Sequence, residues 1–479
     1  MKLSNTDTSH LAPTLAAAGA SAGAIRYTSQ SHLRRYMLMY ALAIFSIAAV
    51  WGGVGSILLP LHVQQIELAN AFGFANGSAS VTDLAALKAQ VASGMVRPGA
   101  GQQLQLDALA RFDAARAGSL SLVMTVGVFV TMLMQPIAGL LSDRTRSRFG
   151  RRAPWIAAGG AITLGSLYLA NHVGTIPALA AVWALAGIGT NMAAGPLAAT
   201  IPDRVPAEKI GAISAIAGLG ILMGFASGTV LGGALFNRIG TGSYLVFGSA
   251  TALLCLLFLK FAPDRSSAAL AVERVPLITH LQSMTIALRS DDFRWLWTGK
   301  VAAYFSYAIS TTFSVYMLQS YVYPALSQQE AARIAPMIHL AALPGTLIAM
   351  YVAGKWSDAI GRRKPFVIGS SVLMACSMLI PLVWPTVPAL FAQAMIGNIA
   401  LGAFLVVDQA LFIDVLPDKS AAGRDLGVSA LGGNLGQALG PAIAGVIVAA
   451  SGGYASIWPV AMMFLLFSGF TVLRIRTAR

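Results

Sequence analysis

Charge is scarce in this sequence of 479 residues. Only 10% of the residues are Asp, Glu, Lys or Arg, whereas 56% are hydrophobic, and the mean hydropathy is +0.71. A soluble domain needs far more charge on its surface than this chain carries. The composition therefore excludes an ordinary soluble protein and indicates that most of the chain lies in lipid.

Cysteines and catalytic motifs are also scarce. Cys255 and Cys376, the only two cysteines, both lie inside apolar runs, which excludes a disulfide framework and argues against redox chemistry. The sequence has no Walker loop and no His, Cys or carboxylate cluster with metal-ligand spacing. His62, His172 and His339 are scattered near the ends of predicted helices or in outer loops. We therefore expect neither an enzyme nor a metal site.

The apolar residues are gathered in runs of about 20, the length that crosses a bilayer as a helix. None of the runs has the period-two alternation of membrane strands. The runs lie near 37–61, 119–141, 154–173, 177–200, 210–236, 243–262, 295–319, 334–353, 366–384, 387–413, 427–449 and 454–473. The sequence predicts an all-α membrane protein with twelve transmembrane helices.

The net charge of +14 could indicate a nucleic-acid partner, but Lys and Arg lie between the apolar runs. Most of them share one side when the N-terminus is placed in the cytoplasm, which is the positive-inside distribution. Residues 1–30 are rich in Ser, Thr, Ala and Gly and have no apolar core of a secretory signal. We expect a protein of the cell membrane that contacts the lipid bilayer, has both termini in the cytoplasm and binds no nucleic acid.

A motif recurs in the two halves of the chain. Its copies are Gly139-Leu-Leu-Ser-Asp143 with Gly150-Arg-Arg-Ala-Pro154, and Gly354-Lys-Trp-Ser-Asp358 with Gly361-Arg-Arg-Lys-Pro365. The separation from Pro154 to Pro365 equals that from Asp203 to Asp414, and each of these aspartates begins a tetrapeptide that ends in proline. Such a duplicated half is how many transporters place a site at a pseudo-symmetric interface.

The repeat divides the chain into two bundles of six helices. We expect a disordered tail at 1–36, a first bundle at 37–263, a basic cytoplasmic linker at 264–294 and a second bundle at 295–479. The first bundle has a long external loop at 62–117, in which Val81 to Val91 and Leu104 to Ala115 read as helices. This loop is either a solvated helical cap, which we favour, or an element that captures substrate.

The paired loops resemble the signature between the second and third helices of each half in major facilitator superfamily transporters. The resemblance implies that fold, in which Asp143 and Asp358 cap helix N-termini of the opposite half and arginines pair with acidic helix ends, so that the cytoplasmic side is latched. An anion at a helix N-terminus is worth about 0.3–1 kcal/mol. The implied gating residues are Asp143, Arg144, Arg148, Gly150, Arg151, Arg152, Asp203, Asp358, Gly361, Arg362, Arg363, Asp414 and Asp425. The alternative is that the arginines only anchor the loops to lipid headgroups.

The first loop resembles one branch of that superfamily more closely. The segment from Ser142 to Trp155 looks like the loop of glycoside and sucrose cation symporters, and Asn191-Met-Ala-Ala-Gly195-Pro196 is similar to a pattern of the sucrose group. Sucrose carriers have an arginine where this chain has Ala198, and melibiose-type carriers have aspartates in helices two and four, where this chain has none. The first half therefore lacks the coupling carboxylates that the resemblance implies.

Asp408 is the one carboxylate inside an apolar segment, and such a residue is expensive in lipid and functional by default. Lys300 lies in the seventh segment at a matched depth, at roughly 7–9 Å from the cytoplasmic boundary on a rise of 1.5 Å per residue. Helices seven and ten both face the central cavity in the family. We expect the two to form a buried ion pair, which either couples a proton to transport or is a static structural pair.

Polar and aromatic residues of the cavity-lining helices are candidates for substrate contact, because hydroxyl-rich ligands need amides and an aromatic face. They are Trp51, Gln135, Asn191, Tyr304, Tyr307, Asn398 and Gln437. Each could instead be a polar group of helix packing.

These features predict a secondary transporter that alternates between inward-open and outward-open states. The best substrate prediction is a sugar or glycoside, taken up with a cation, H⁺, and with no other cofactor. Efflux of amphipathic compounds is the alternative within transport, and a non-transporting membrane sensor is the alternative outside it. We expect a monomer with a small-molecule substrate.

Overall fold

The computed structural model describes residues 29–72, 81–264, 266–268, 287–416 and 422–476. The first six long helices are α1 (Gln30–Ala49, continued by the π-helix Val50–Leu58 and by Leu59–Phe72), α2 (Ala100–Arg144), α3 (Ala153–Ala170), α4 (Ile176–Arg204), α5 (Ile210–Ile239) and α6 (Ser243–Phe261). The next six are α7 (Asp291–Thr311 and, after a bend, Ser314–Ser320), α8 (Gln328–Ile360), α9 (Lys364–Ser377 and Leu379–Val383), α10 (Val387–Asp414), α11 (Ala422–Ser451) and α12 (Ile457–Leu473). No strand is present in the described ranges.

These helices have the length and composition of membrane spans. Nine apolar stretches in the described part of the chain can cross a bilayer, and the two parts of α7, bent by 44°, make a tenth. One of the nine, Ile210–Phe261, holds both α5 and α6, which a turn at Gly240–Gly242 separates. α12 is a shorter apolar helix of 17 residues. The predicted set of twelve helices is thereby confirmed.

The helices of the two halves pack in the same order. α1 packs on α5 and α6, α3 packs on α4 and α6, and α2 packs on α4. In the second half, α7 packs on α11 and α12, α9 packs on α10 and α12, and α8 packs on α10. The halves meet through two contacts, α2 with α11 and α5 with α8. These two contacts are equivalent, because α2 corresponds to α8 and α5 corresponds to α11 in the repeat. The fold is therefore two pseudo-symmetric bundles of six helices.

The two ends of the bundle differ in composition. The basic face carries the arginine-rich loops that follow α2 and α8, the loop between α4 and α5, and the start of α1. The opposite face carries the short helix Val81–Ala92 and the ends of α1 and α5.

Glycines let α5 lie directly against α1. Four of them recur at every fourth position of α5, namely Gly220, Gly224, Gly228 and Gly232. A Cβ atom at Gly224 would meet the carbonyl oxygen of Phe45, and one at Gly228 would meet that of Ala49. Small residues that bring backbones together are the usual way in which membrane helices associate.

α11 repeats this arrangement against α7. A Cβ atom at Gly436 would meet the carbonyl oxygen of Val301, and one at Gly440 would meet the side chain of Ala308 and the backbone of Ile309. Each half therefore contains such a pair of closely apposed helices, and the two pairs occupy equivalent positions in the repeat.

Several helix ends differ from the sequence prediction. α1 begins at Gln30, so residues 30–36, which we expected in a disordered tail, are helical, and Tyr36 is buried. α1 ends at Phe72 and α2 begins at Ala100, so most of the expected loop 62–117 extends these two helices. Hydropathy detects only the part of a helix that lies in lipid, whereas backbone hydrogen bonding continues it into polar sequence. Residues 1–28 and most of the predicted linker lie outside the described residues.

We expect Gly224→Val to destabilise the protein, because the new side chain has to push α1 away from α5. Overpacking of a tight contact costs about 1–3 kcal/mol. The measurement is the thermal unfolding midpoint of the purified variant. Gly218→Val is the matched control, since a Cβ atom at Gly218 has no neighbour within 4 Å. Equal midpoints for the two variants would contradict the close packing of α5 against α1.

Candidate functional site

Lys300 of α7 and Asp408 of α10 are brought together inside the second half. Lys300 Nζ lies 3.0 Å from Asp408 Oδ2, and the two side chains are 7% and 2% exposed. Each charge is costly in this environment and the other compensates it. The pair joins the two helices that we predicted to face the cavity.

Beyond the ion pair, Lys300 makes more contacts with neighbouring side chains than Asp408 does. Lys300 Nζ also donates to Ser429 Oγ of α11 at 3.0 Å and lies 4.7 Å from the centre of the Phe412 ring. Tyr304 is one helical turn away, with its ring centre 6.0 Å from Nζ. Asp408 Oδ1 is buried and accepts no hydrogen bond from the described residues. That free oxygen is where a proton can be added without breaking another contact.

The loop after α2 forms an ion-pair network on the basic face. Arg152, which is 5% exposed, lies 2.6 Å from Asp143 Oδ1 and 3.3 Å from Asp203 Oδ2. Arg151 lies 2.6 Å from Asp203 Oδ1 and 3.9 Å from Asp143 Oδ1. Two arginines therefore clamp the end of α2 to the end of α4.

The loop after α8 repeats the core of this network. Arg363 lies 3.3 Å from Asp358 Oδ1 and 2.8 Å from Asp414 Oδ1, and it donates to the carbonyl oxygen of Ala410 at 2.6 Å. Asp358 lies in the last turn of α8 and Asp414 ends α10, so an arginine again joins the ends of two helices.

The networks on the basic face lie within each half. The sequence predicts that Asp143 and Asp358 cap helices of the opposite half, whereas here each accepts from an arginine of its own half. Both aspartates are more than half exposed, at 52% and 67%, so neither carboxylate is buried against the other half.

The other predicted gating residues occupy various positions. Arg144 is half-buried, Arg148 and Arg362 are exposed, and Asp425 is buried in the first turn of α11. Arg148 lies 4.7 Å from the centre of the Phe149 ring.

Two of the predicted gating residues are glycines in left-handed backbone. Gly150 has φ of 93° and Gly361 has φ of 67°, a region that favours glycine. A Cβ atom at Gly150 would also lie 2.6 Å from the Cβ of Asp264, whose carboxylate is 2.9 Å from Arg204. Both glycines therefore fix the turns that present the arginines.

The loop after α2 is also bound to the segment that leaves the first half. The Ser267 N–H donates to the Ser147 carbonyl oxygen at 2.9 Å, and the Ser147 N–H donates to Ser267 Oγ at 3.0 Å. These bonds tie the first residues after α6 to the loop that carries Arg151 and Arg152.

The predicted substrate residues are not gathered in one place. Tyr307 and Asn398 line a cavity between α7, α8, α9, α10 and α12, and Tyr304 lies beside the ion pair. Trp51 packs edge-on against Trp183 with ring centres 5.1 Å apart.

The three remaining candidates lie outside this cavity. Asn191 donates to the carbonyl oxygen of Gly187 in its own helix. Gln135 accepts from Asn434 at 3.1 Å across the two halves, and Gln437 is exposed on α11.

Both polar and apolar side chains line the cavity, and all of them belong to the second half. The polar side chains that line it, besides Tyr307 and Asn398, are Ser310, Thr311, Ser314, His339 and Gln393. Asn398 donates to the carbonyl oxygen of Ala394 at 2.8 Å, which leaves its amide oxygen available as an acceptor. Gln393 contacts only the Met378 sulfur, at 3.7 Å, among the hydrogen bonds of the described residues.

His339 lines the cavity, although the sequence predicts that it lies near a helix end or in an outer loop. It lies inside α8, where Nδ1 donates to the carbonyl oxygen of Ala335 at 3.0 Å, so Nε2 is left as the acceptor. A polar residue within an apolar run was the available signal. In the described part of the chain, no cluster of three His, Cys, Asp or Glu residues could hold a metal ion.

A sequence model of the Major Facilitator Superfamily matches residues 99–343 and 315–477. Over 63 residues, or 13% of this chain, the sequence is 48% identical to an uncharacterized symporter of Synechocystis sp.. The matched segment spans only 11% of the length of that relative.

Solved structures have the same fold at low sequence identity. The nucleoside transporter NupG is similar with a TM-score of 0.65 at 13% identity, over 92% of this chain and 98% of that one. A bacterial homologue of the human lysosomal transporter Spinster, in an inward-facing and occupied conformation, is similar with a TM-score of 0.61 at 15% identity, over 94% and 97% of the two chains. The chain is a membrane transporter rather than an enzyme, and it belongs to the Major Facilitator Superfamily.

Proposed function

We propose that this protein is a secondary active transporter that takes up a sugar or glycoside together with a proton by alternating access. The observation that carries the proposal is the buried ion pair of Lys300 and Asp408, with one carboxylate oxygen left without a hydrogen bond from the described residues. An ionisable pair at membrane depth is the usual mark of a proton or substrate path.

Protonation of Asp408 is the coupling step in this mechanism. The added proton removes the negative charge, so Lys300 loses its ion pair and keeps Ser429 and the Phe412 ring. Separating the charged pair leaves two buried charges without a partner, whereas separating it after protonation of Asp408 leaves one, so opening is less unfavourable with the proton than without it. Because α7 and α10 carry the two charges, proton binding alters the contact between two helices of the cavity.

The lining of the cavity supports a neutral, hydroxylated solute. Tyr307 and Trp458 offer aromatic faces, and Asn398, Gln393 and His339 offer amide and imidazole groups for hydrogen bonds to hydroxyls. Nucleosides, the class named for NupG, are themselves glycosides and belong to the same chemical range.

The methionines of the same cavity favour a second candidate, efflux of amphipathic compounds. Met317, Met374 and Met378 are among the residues that line it. Methionine is flexible and polarizable and suits ligands of varied shape. The two candidates differ in the ligand that the purified protein binds.

The distribution of charge and contacts supports the orientation and the cycle. The positive-inside rule assigns the basic face, with both chain ends, to the cytoplasm. The halves are joined at the opposite face, for example by Asn237 Nδ2 donating to the carbonyl oxygen of Gln329 at 3.1 Å, whereas Asp143, Asp358 and Asp414 of the basic face pair with arginines of their own half. We assign this conformation to the inward-open state, from which Asp143 and Asp358 reach the opposite half as the cytoplasmic side closes.

Asp408→Asn should abolish concentrative uptake driven by a proton gradient, because the amide cannot exchange a proton. Exchange of labelled for unlabelled substrate across proteoliposomes should persist. Asp291→Asn is the control, since the ion pair of Asp291 with Arg294 is exposed. Uphill uptake by Asp408→Asn at the wild-type level would remove the coupling role.

Ligand-induced thermal stabilisation should distinguish the two substrate classes. We expect sugars, glycosides or nucleosides to raise the unfolding midpoint, and Asn398→Ala to weaken that effect about tenfold in ligand concentration through the loss of one hydrogen bond. Trp384→Ala, an exposed aromatic outside the cavity, is the control. If only hydrophobic cations stabilise the protein, the result would contradict uptake of sugars and support efflux of amphipathic compounds.

Asp143→Ala should slow transport turnover while leaving ligand binding intact, because it removes one contact of the cytoplasmic gate and none of the cavity. We expect a maximal uptake rate lower by about tenfold, as for the loss of a charge-assisted hydrogen bond. Paired measurements of uptake and ligand-induced stabilisation check this. An unchanged rate would leave the loop arginines as lipid anchors.

A further inference from the structure

The opposite face contains a fully buried arginine in a stretch that the sequence assigns to a solvated loop. Arg116 of α2 is 0% exposed, and its Nη2 lies 2.7 Å from Oδ1 of Asp113, which is 1% exposed. The two residues are separated by one turn of the same helix. Such a buried pair is weak evidence for stability alone and raises the question of what it holds.

The second half supplies most of the surroundings of this pair. Arg116 Nη2 donates to Ser320 Oγ at 2.7 Å, and Ser320 Oγ donates to Asp113 Oδ1 at 3.1 Å. The guanidinium carbon of Arg116 lies 4.4 Å from the centre of the Tyr316 ring and 6.0 Å from that of Tyr454. The hydroxyl of Ser320, which belongs to the second half, therefore bridges Arg116 and Asp113 of the first half.

Neighbouring hydrogen bonds join α1 to the tip of α7 and to Arg116. Gln64 Nε2 of α1 donates to Gln319 Oε1 at 2.7 Å, and Gln64 Oε1 accepts from Arg116 Nη1 at 3.3 Å. Tyr316 Oη donates to the carbonyl oxygen of Pro60 at 2.7 Å. These groups are all buried, so together they form one dry contact between α1 and α2 on one side and the tip of α7 on the other.

We propose that Arg116 is a positioning residue of the transport cycle that latches the opposite face shut and releases it to let substrate enter. This rests on the alternating access proposed above. The ion pair of Asp113 and Arg116 lies within α2, so it moves with the first half as a neutral unit and is not broken when the halves separate. Opening then separates hydroxyl, amide and ring contacts, which water can replace, and separates no pair of opposite charges.

The test measures the conformation directly, by pulsed electron paramagnetic resonance on purified protein without substrate or proton gradient. The cysteine-free background is Cys255→Ala with Cys376→Ala. One spin-label pair, Ile239→Cys with Trp384→Cys, reports on the opposite face. The other pair, Phe149→Cys with Ile360→Cys, reports on the basic face. These four label positions are exposed.

Ser320→Ala and Tyr316→Phe remove contacts of the latch and keep the ion pair, so the fold should survive. We expect each to raise the ratio of long to short distances at the opposite face about tenfold, with a matching decrease of distances at the basic face. The double variant Asp113→Asn with Arg116→Gln should do the same. Arg111→Gln, an exposed arginine of the same helix, should leave both distances unchanged.

Unchanged distances in folded Ser320→Ala and Tyr316→Phe would overturn the latch and leave Arg116 as a static element of packing. Because the readout needs no ligand, it is independent of the proposed substrate. A shift in distances combined with failure of every sugar or glycoside to be transported would support the latch and reject that substrate class.

Discussion

A charge that is buried inside this protein needs a partner of opposite charge beside it. The chain has few charged residues, and the two buried ion pairs described here, Lys300 with Asp408 and Asp113 with Arg116, each satisfy this requirement in a different way. The first joins two helices of one half, so a change of protonation alters a helix contact. The second lies within a single helix, so the helix can move without separating opposite charges.

The same requirement explains the contrast between the two ends of the molecule. The basic face borders water and carries many charges, so its arginines can exchange one carboxylate for another at low cost. The opposite face is closed by buried groups and depends on hydroxyl, amide and aromatic contacts across the halves. In the transport cycle proposed above, charge switches one gate, and shape with neutral hydrogen bonds closes the other.

The sequence alone predicts the fold and those contacts that follow from the regular geometry of helices. Twelve spans follow from hydropathy, and the matched depth of Lys300 and Asp408 follows from the helical rise, so the expected neighbours do lie within 3.0 Å of each other. The repeat related Arg152 to Arg363, and both arginines join the end of one helix to the end of another.

Arg116 could not be predicted, because its burial depends on α2 continuing beyond its apolar run and on the tip of the opposite half closing over it. His339 was lost for a related reason, since only the packing of α8 on α10 shows that it lines a cavity. The aspartates of the basic loops were expected to reach across the halves, and a single sequence cannot specify which state of a moving protein is observed. Residue patterns thus specify elements and local pairs, whereas contacts between moving halves depend on the state.

The hydrogen bonds between Ser147 and Ser267 make the two halves of the repeat unequal. They fasten the start of the interdomain connection to the loop that positions Arg151 and Arg152. The first residues after α6 and the loop that carries the ion-pair network of the first half are thereby coupled, so a displacement of one displaces the other.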